Sequence, residues 1–292
     1  MTPTNAGRPN VLERQRPADL DELRRRADRL RLEVLGLIDI PKLGHYSSTM
    51  SCVELLTVLY RHTLRLAPSD PKWPDRDRFL LGKGHVAVGL WPLMAELGFF
   101  PQEWLTRFGT LGSELTDHPD MRRVPGVDFS AGSLGHNLSV GVGMGLAARL
   151  RGQDFRIFVL TGDGEMHEGQ VWEAAMAASH HKLGNLVAVV DANGSSGDGP
   201  TSEVMNIEPL AARFEAFGWR AVEIDGHDVA KIVEAFDGLP PPESNVPTCI
   251  VARTLKGKGI SFMEVAPREW HLGHLGPEDR ARAAREIEAR LR

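Results

Sequence analysis

The sequence predicts a three-layer α/β domain around a mainly parallel central sheet. Short apolar runs alternate with helical patterns throughout the second half of the chain, the order that builds a parallel sheet covered on both faces. An apolar run at Ile157–Leu160 closes on Gly162-Asp163-Gly164, and a second at Leu186–Val190 closes on Asp191-Ala192-Asn193, with a helical segment between them. Strand, helix and strand in that order form a βαβ unit, whose right-handed crossover brings both strand ends to one edge of the sheet.

The elements follow in order. Residues 1–17 are polar, contain three prolines and show no periodicity, so a flexible tail is expected over 1–18 and one folded domain over 19–292. Leu20, Leu23, Ala27, Leu30, Val34 and Leu37 trace one apolar helix face, with Arg24, Arg25, Arg26 and Arg29 on a solvated face. Ser51 with Glu54 three residues on reads as a capping box opening a helix to about His62. Residues 67–78 read as loop, Phe79–Leu81 as a short strand running into Gly82-Lys83-Gly84-His85, 87–108 as mostly helical and 109–132 as a long loop carrying His118-Pro119. A helix over 137–149 carries Gly141, Gly143 and Gly145. Each interior glycine costs about 1 kcal/mol against alanine, which implies close packing against another backbone. After the βαβ unit come a Gly/Ser loop at 194–202, a helix over 208–217, strands at 220–224 and 248–252 flanking a helix at 228–236, and an Arg/Glu/Ala-rich helix from Glu278.

Composition excludes several functions. The net charge of −5 offers no basic footprint for nucleic acid. The two cysteines, Cys52 and Cys249, sit in apolar segments and indicate neither a disulfide framework nor a zinc site, which suits a reducing, cytoplasmic compartment. No apolar stretch has the length of a membrane span, and the polar start does not read as a signal peptide.

Asp163 and Asn193 should meet at the carboxyl edge of the sheet, where open α/β sheets bind ligands. Two oxygen ligands beside glycine-exposed backbone suit a hard cation that holds a diphosphate, such as Mg²⁺. A lone Gly-Asp-Gly also serves as a tight turn; the Asn about thirty residues on, closing a second strand, sets this one apart. Gly-Asp-Gly with that Asn resembles the thiamine-diphosphate-binding motif. The longer string GDGEMHEGQVWEA, with HKLGNLVAVVD behind it, resembles transketolase, in particular the amino-terminal subunit of transketolases made as two chains. Other motifs fit the resemblance in order: Gly44-His45-Tyr46-Ser47-Ser48, Lys83-Gly84-His85, His118, Gly132-Ser133-Leu134-Gly135, Lys256-Gly257-Lys258-Gly259 and Trp270-His271. Read alone, His45 is a turn residue before a helix and Gly82-Lys83-Gly84 a glycine turn after a strand.

The resemblance implies a thiamine-diphosphate-binding fold and the transfer of a two-carbon ketol unit from a ketose or ketose phosphate to an aldose. It implies Mg²⁺ held by Asp163, Asn193 and the Ser195 carbonyl. It places His45, His85, Gly132, Ser133, Leu134, Gly162, Asp163, Gly164, Glu165, Asn193 and His271 against the cofactor. The Gly164 and Glu165 amides are expected to donate to phosphate, with the Glu165 side chain pointing away. His45, His118 and His271 are the candidates for proton transfer and hydroxyl contacts. Glu168 is implied at a subunit interface. His271 and His274 compete for the closing histidine, and His271 is favoured. Ser195-Ser196 and His136 also depart from the family's usual residues. The resemblance places the glutamate that completes the cofactor site on a pyrimidine-binding domain that this sequence does not contain. It therefore implies a separately encoded partner subunit, with two copies of each chain in the assembly. The rivals are another thiamine enzyme, such as a 2-oxoacid dehydrogenase α-subunit or a pyruvate-dependent sugar-phosphate synthase, or a non-catalytic partner-binding homologue.

Overall fold

The computed structural model of the protein describes residues 10–292. Its elements are α1 (Leu20–Ile38), α2 (Tyr46–Met50), α3 (Val53–Val58), β1 (Arg78–Leu81), α4 (Trp91–Glu96), α5 (His136–Leu150), β2 (Ile157–Gly162), α6 (Gly169–His180), β3 (Leu186–Ala192), α7 (Thr201–Val204), α8 (Leu210–Ala216), β4 (Arg220–Asp225), α9 (Val229–Asp237), β5 (Thr248–Arg253), α10 (Ser261–Val265) and α11 (Pro277–Leu291). The strands pair in the order β1-β2-β3-β5-β4, every pair parallel. Every residue of β2 and β3 is buried, as expected of central strands covered on both faces.

Alternation along the strands sorts the core into two apolar layers. Phe158, Leu160, Val187, Val189 and Ile250 face α1, α3 and α9, while Ile157, Val159, Leu186, Ala188 and Val251 face α5, α6 and α8. The sheet between two helical layers is the three-layer arrangement the sequence predicts. Among the described residues no helix is long and apolar enough to cross a membrane.

Several local expectations change. Residues 1–9 of the expected tail lie outside the described residues. Residues 10–18 are tied down: Leu12 and Leu66 exchange backbone hydrogen bonds (2.8 Å each), and the Arg16 guanidinium donates to the Tyr60, Arg61 and Leu64 carbonyls. The capping box at Ser51 does not form. Ser51 ends α2, its hydroxyl donating to Asp191 Oδ2 (2.6 Å), and Glu54 pairs with Arg31 (2.6 Å), so a long-range acceptor wins over the local cap. Arg26, expected in solvent, is 4% exposed because Glu33 and Glu96 meet it at 3.0 and 2.7 Å. The helix expected over 87–108 is reduced to α4 and the flanking 3₁₀ turns at Gly84–Gly89 and Gln102–Arg107. On α5, Gly141 packs on the side chains of Leu186, Val159 and Ile157 and Gly145 on those of Leu183 and Asn185, rather than on backbone; a Cβ at Gly143 would meet open space.

Candidate functional site

The register sets the site. Gly162 pairs with Asp191 across β2 and β3, so Asp163 and Asn193 leave the sheet as neighbours. Asp163 is 3% exposed and accepts from the amides of Gly164 (2.9 Å) and Gly194 (2.5 Å). Burial, and next the charge of Asp191, push its carboxyl pKa up to about 6. Asn193 Oδ1 accepts from the Ser195 amide at 3.1 Å. Because the Gly164 N–H is turned onto Asp163, the expected donation to phosphate requires that contact to be exchanged.

These residues form one wall of a cleft of about 460 Å³. A second part of its lining is a cluster of four imidazoles. His45 lies with its ring centroid 4.9 Å from that of His85, 5.3 Å from His271 and 6.3 Å from His118; His85 and His271 are 5.7 Å apart. His45 precedes α2, His85 follows β1, His118 comes from the 109–132 loop and His271 follows α10. Backbone bonds bring the first and last together: Gly44 and Gly273 exchange N–H···O contacts of 3.0 Å, and the Ser47 amide donates to Trp270 O at 3.1 Å. Ser48 Oγ lies 3.0 Å from His271 Nδ1, and Asp117 lies 3.1 Å from His45 Nδ1. Burial first, then the nearby Lys256, push His271 down to about 4. Burial also drives His85 well below the ordinary histidine value and lowers His118.

The competition between the two late histidines resolves on geometry. His271 lines the cleft, while His274 Nε2 meets Asp39 at 3.1 Å outside it. Gly132 and Leu134 line the cleft from the turn before α5, with Ser133 exposed between them. Glu165 turns its carboxyl inward, accepting from the Gly135 (2.9 Å) and Gly162 (3.2 Å) amides, and burial pushes its pKa up to about 7. Two glycines make this possible. A Cβ at Gly82 would lie 2.7 Å from Glu165 Oε1, and Gly135, at φ +85°, would bring a Cβ within 2.6 Å of Glu168 Cβ. Glu168 is exposed beside that turn. The cap of α9 is Asp228, Asp225 accepts from the His227 amide at 2.8 Å, and His227 bridges Glu54 and the Leu255 amide.

Sequence reasoning assigned no role to the two lysines at the floor. Lys83 Nζ pairs with the fully buried Asp191, whose charge holds the lysine pKa above its ordinary value against the pull of burial. Lys256 is 2% exposed, its Nζ 3.2 Å from Ser196 O and 3.4 Å from Ser195 Oγ. Burial, then Lys83, push it down to about 8. The sequence signal was present, a lysine at each glycine-rich turn, but nothing local tells such a lysine from a solvated one.

Among the described residues no three His, Cys, Asp or Glu side chains converge as a metal cage. What the edge offers is one carboxylate, one amide oxygen and the adjoining backbone, beside a buried ammonium. Among the described residues Asp163 has no cationic partner of its own and Lys256 no anionic one, and the two are complementary to a cation–diphosphate chelate, which supplies both charges at once.

Fold and cleft together define an α/β cofactor-binding domain with its site at the carboxyl edge of a parallel sheet. A family model described as "Transketolase, thiamine diphosphate binding domain" matches residues 23–287. The chain belongs to the transketolase family and contains its thiamine-diphosphate-binding domain. It is 38% identical over 272 residues to an apulose-4-phosphate transketolase subunit of Phocaeicola vulgatus, covering 93% of this chain and 96% of that one. It is 40% identical to a 6-deoxy-6-sulfo-D-fructose transketolase subunit of a Clostridium species, covering 81% and 84% of the two chains. The crystal structure of transketolase from Campylobacter jejuni superposes with a TM-score of 0.87 at 29% identity, covering 93% of this chain but 43% of that one. The chain thus spans nearly all of the relatives named as subunits and about two-fifths of that longer enzyme.

Proposed function

We propose that the chain is the amino-terminal, diphosphate-binding subunit of a two-chain transketolase, moving a two-carbon ketol unit from a ketose to an aldose. The observation that carries this reading is the cleft itself: four clustered imidazoles together with an uncompensated carboxylate and an uncompensated ammonium. When bound, thiamine diphosphate supplies the carbanion chemistry of ketol transfer. Asp163, Asn193 and the Ser195 carbonyl would hold Mg²⁺; Lys256 and His85 would hold the diphosphate; the Gly132–Leu134 turn and Glu165, through the backbone it braces, would shape the wall for the cofactor ring. Asp117 at His45 Nδ1 leaves Nε2 as a proton acceptor, and Ser48 holds the His271 ring. His271 is uncharged at neutral pH and can accept from a substrate hydroxyl, the position a general base takes. His118, at the cleft mouth, contacts the sugar hydroxyls.

The partner is a separately encoded subunit carrying the pyrimidine-binding domain, joined as a heterotetramer of two plus two in the cytoplasm, with no nucleic acid or membrane involved. Relatives named for a phosphorylated and a sulfonated sugar support a ketose with an anionic tail as substrate. The purified chain, assayed alone with ketose phosphate and aldose, should show no ketol transfer, and activity should appear once the second subunit is added. Robust turnover by the chain alone would refute the half-enzyme reading, and release of CO₂ from a 2-oxoacid by the pair would replace the ketol-transfer reading.

A further inference from the structure

Asp191 sits within β3, fully buried, at a position where the strand is otherwise apolar. Donors from four separate segments converge on its carboxylate: Ser51 Oγ (2.6 Å) from the break between α2 and α3, Lys83 Nζ after β1, Thr254 Oγ1 after β5, and Asn193 Nδ2 (3.2 Å) after β3. Asn193 Nδ2 also reaches Ser51 Oγ at 3.4 Å, so its amide nitrogen is directed into this hub. The Asn193 oxygen is turned the other way, toward the Ser195 amide and the loop that borders Asp163. Flipping the amide would set its oxygen against a carboxylate that has no proton to give.

We propose that Asp191, neutralised by Lys83, is the positioning residue of the cation site, fixing Asn193 so that it offers oxygen rather than NH₂ to a bound divalent cation. This rests on the reading of Asp163 and Asn193 as the cation's side-chain ligands. A hard cation takes oxygen donors, and groups that orient a ligand from behind alter metal affinity by 10–100-fold. The charge pair also explains why a lysine lies under a cation site: it cancels the buried charge of Asp191 behind the two ligands.

The test reads binding rather than turnover. Mn²⁺ is titrated into the full chain assembled with its partner subunit and saturated with thiamine diphosphate, and free Mn²⁺ is followed by electron paramagnetic resonance against a blank of thiamine diphosphate alone. The electroneutral double variant Asp191→Asn/Lys83→Met removes the orienting anion without stranding a buried charge, and its Mn²⁺ affinity should fall about 10–100-fold. Adding Asn193→Asp to that background should restore most of the affinity, because a carboxylate offers oxygen in either orientation. Unchanged affinity in the double variant, or no recovery in the triple variant, overturns the proposal. Absence of Mn²⁺ binding by the unmodified chain together with its partner subunit overturns the cation site itself. Should the double variant not fold, hydrogen exchange in the unmodified protein decides. The Asn193 side-chain amide protons, assigned by their loss in Asn193→Asp, should exchange slowly if Asp191 holds them; rapid exchange overturns the proposal.

Discussion

The two walls of the cleft are built in opposite ways. The acidic wall comes from one supersecondary unit: Asp163 and Asn193 follow adjacent, registered strands, and their positions are set by the sheet's own hydrogen bonds. The imidazole wall is gathered from four loops between residues 45 and 271 and held by contacts such as Gly44–Gly273 and Ser48–His271. The walls differ in charge as well. Burial leaves a carboxylate that protonates too easily on one side and imidazoles that resist protonation on the other. One wall is arranged to hold and the other to move protons, so the two should fail separately.

That separation can be broken experimentally, beginning where the effect is largest. Asp163→Ala should abolish Mg²⁺-dependent binding of thiamine diphosphate in calorimetry; unchanged affinity would mean the metal wall is misassigned. His271→Asn should lower turnover of the assembled enzyme by about 10²–10⁴-fold, the usual contribution of a positioned acid or base. Mn²⁺ affinity in the same variant should stay close to that of the unmodified protein. A parallel loss of both would erase the distinction between the walls.

The titration of His271 gives a smaller effect. Its folded pKa, near 4, lies below the ordinary 6.5, so the unfolded chain takes up the proton first as pH falls. The stability it contributes is present above about pH 6.5 and is lost as pH drops toward 4, with buried His85 acting in the same direction. Urea unfolding at pH 7.5 and 5.5 should show a smaller loss in His271→Asn than in the unmodified chain. The smallest effect belongs to His274→Asn, which removes only a partly exposed contact to Asp39. Its turnover should match the unmodified enzyme, and a large loss would reopen the competition between the two histidines.

The same contrast explains what was legible in the sequence. Asp163 and Asn193 could be read because a βαβ unit converts sequence spacing into spatial adjacency. The imidazole wall was readable only as motifs resembling a family, and the fold had to separate His271 from His274. Asp191 and Lys83 stayed hidden because an acid inside an apolar run carries no local sign of its partners. Ser51 looked like a helix cap for the same reason: its acceptor lies 140 residues away. Arg26 was read as solvated because its partner Glu96 belongs to α4, 70 residues on.

Glu165 carries a consequence for redesign. With one oxygen on the Gly135 amide and the other on the Gly162 amide, it rivets the turn ahead of α5 to the tip of β2. Loop grafts over residues 132–135 must keep glycine at 135, whose positive φ aims the amide at Glu165 and leaves room for Glu168. The turn, its glycine and the distant acid must travel between proteins as one cassette.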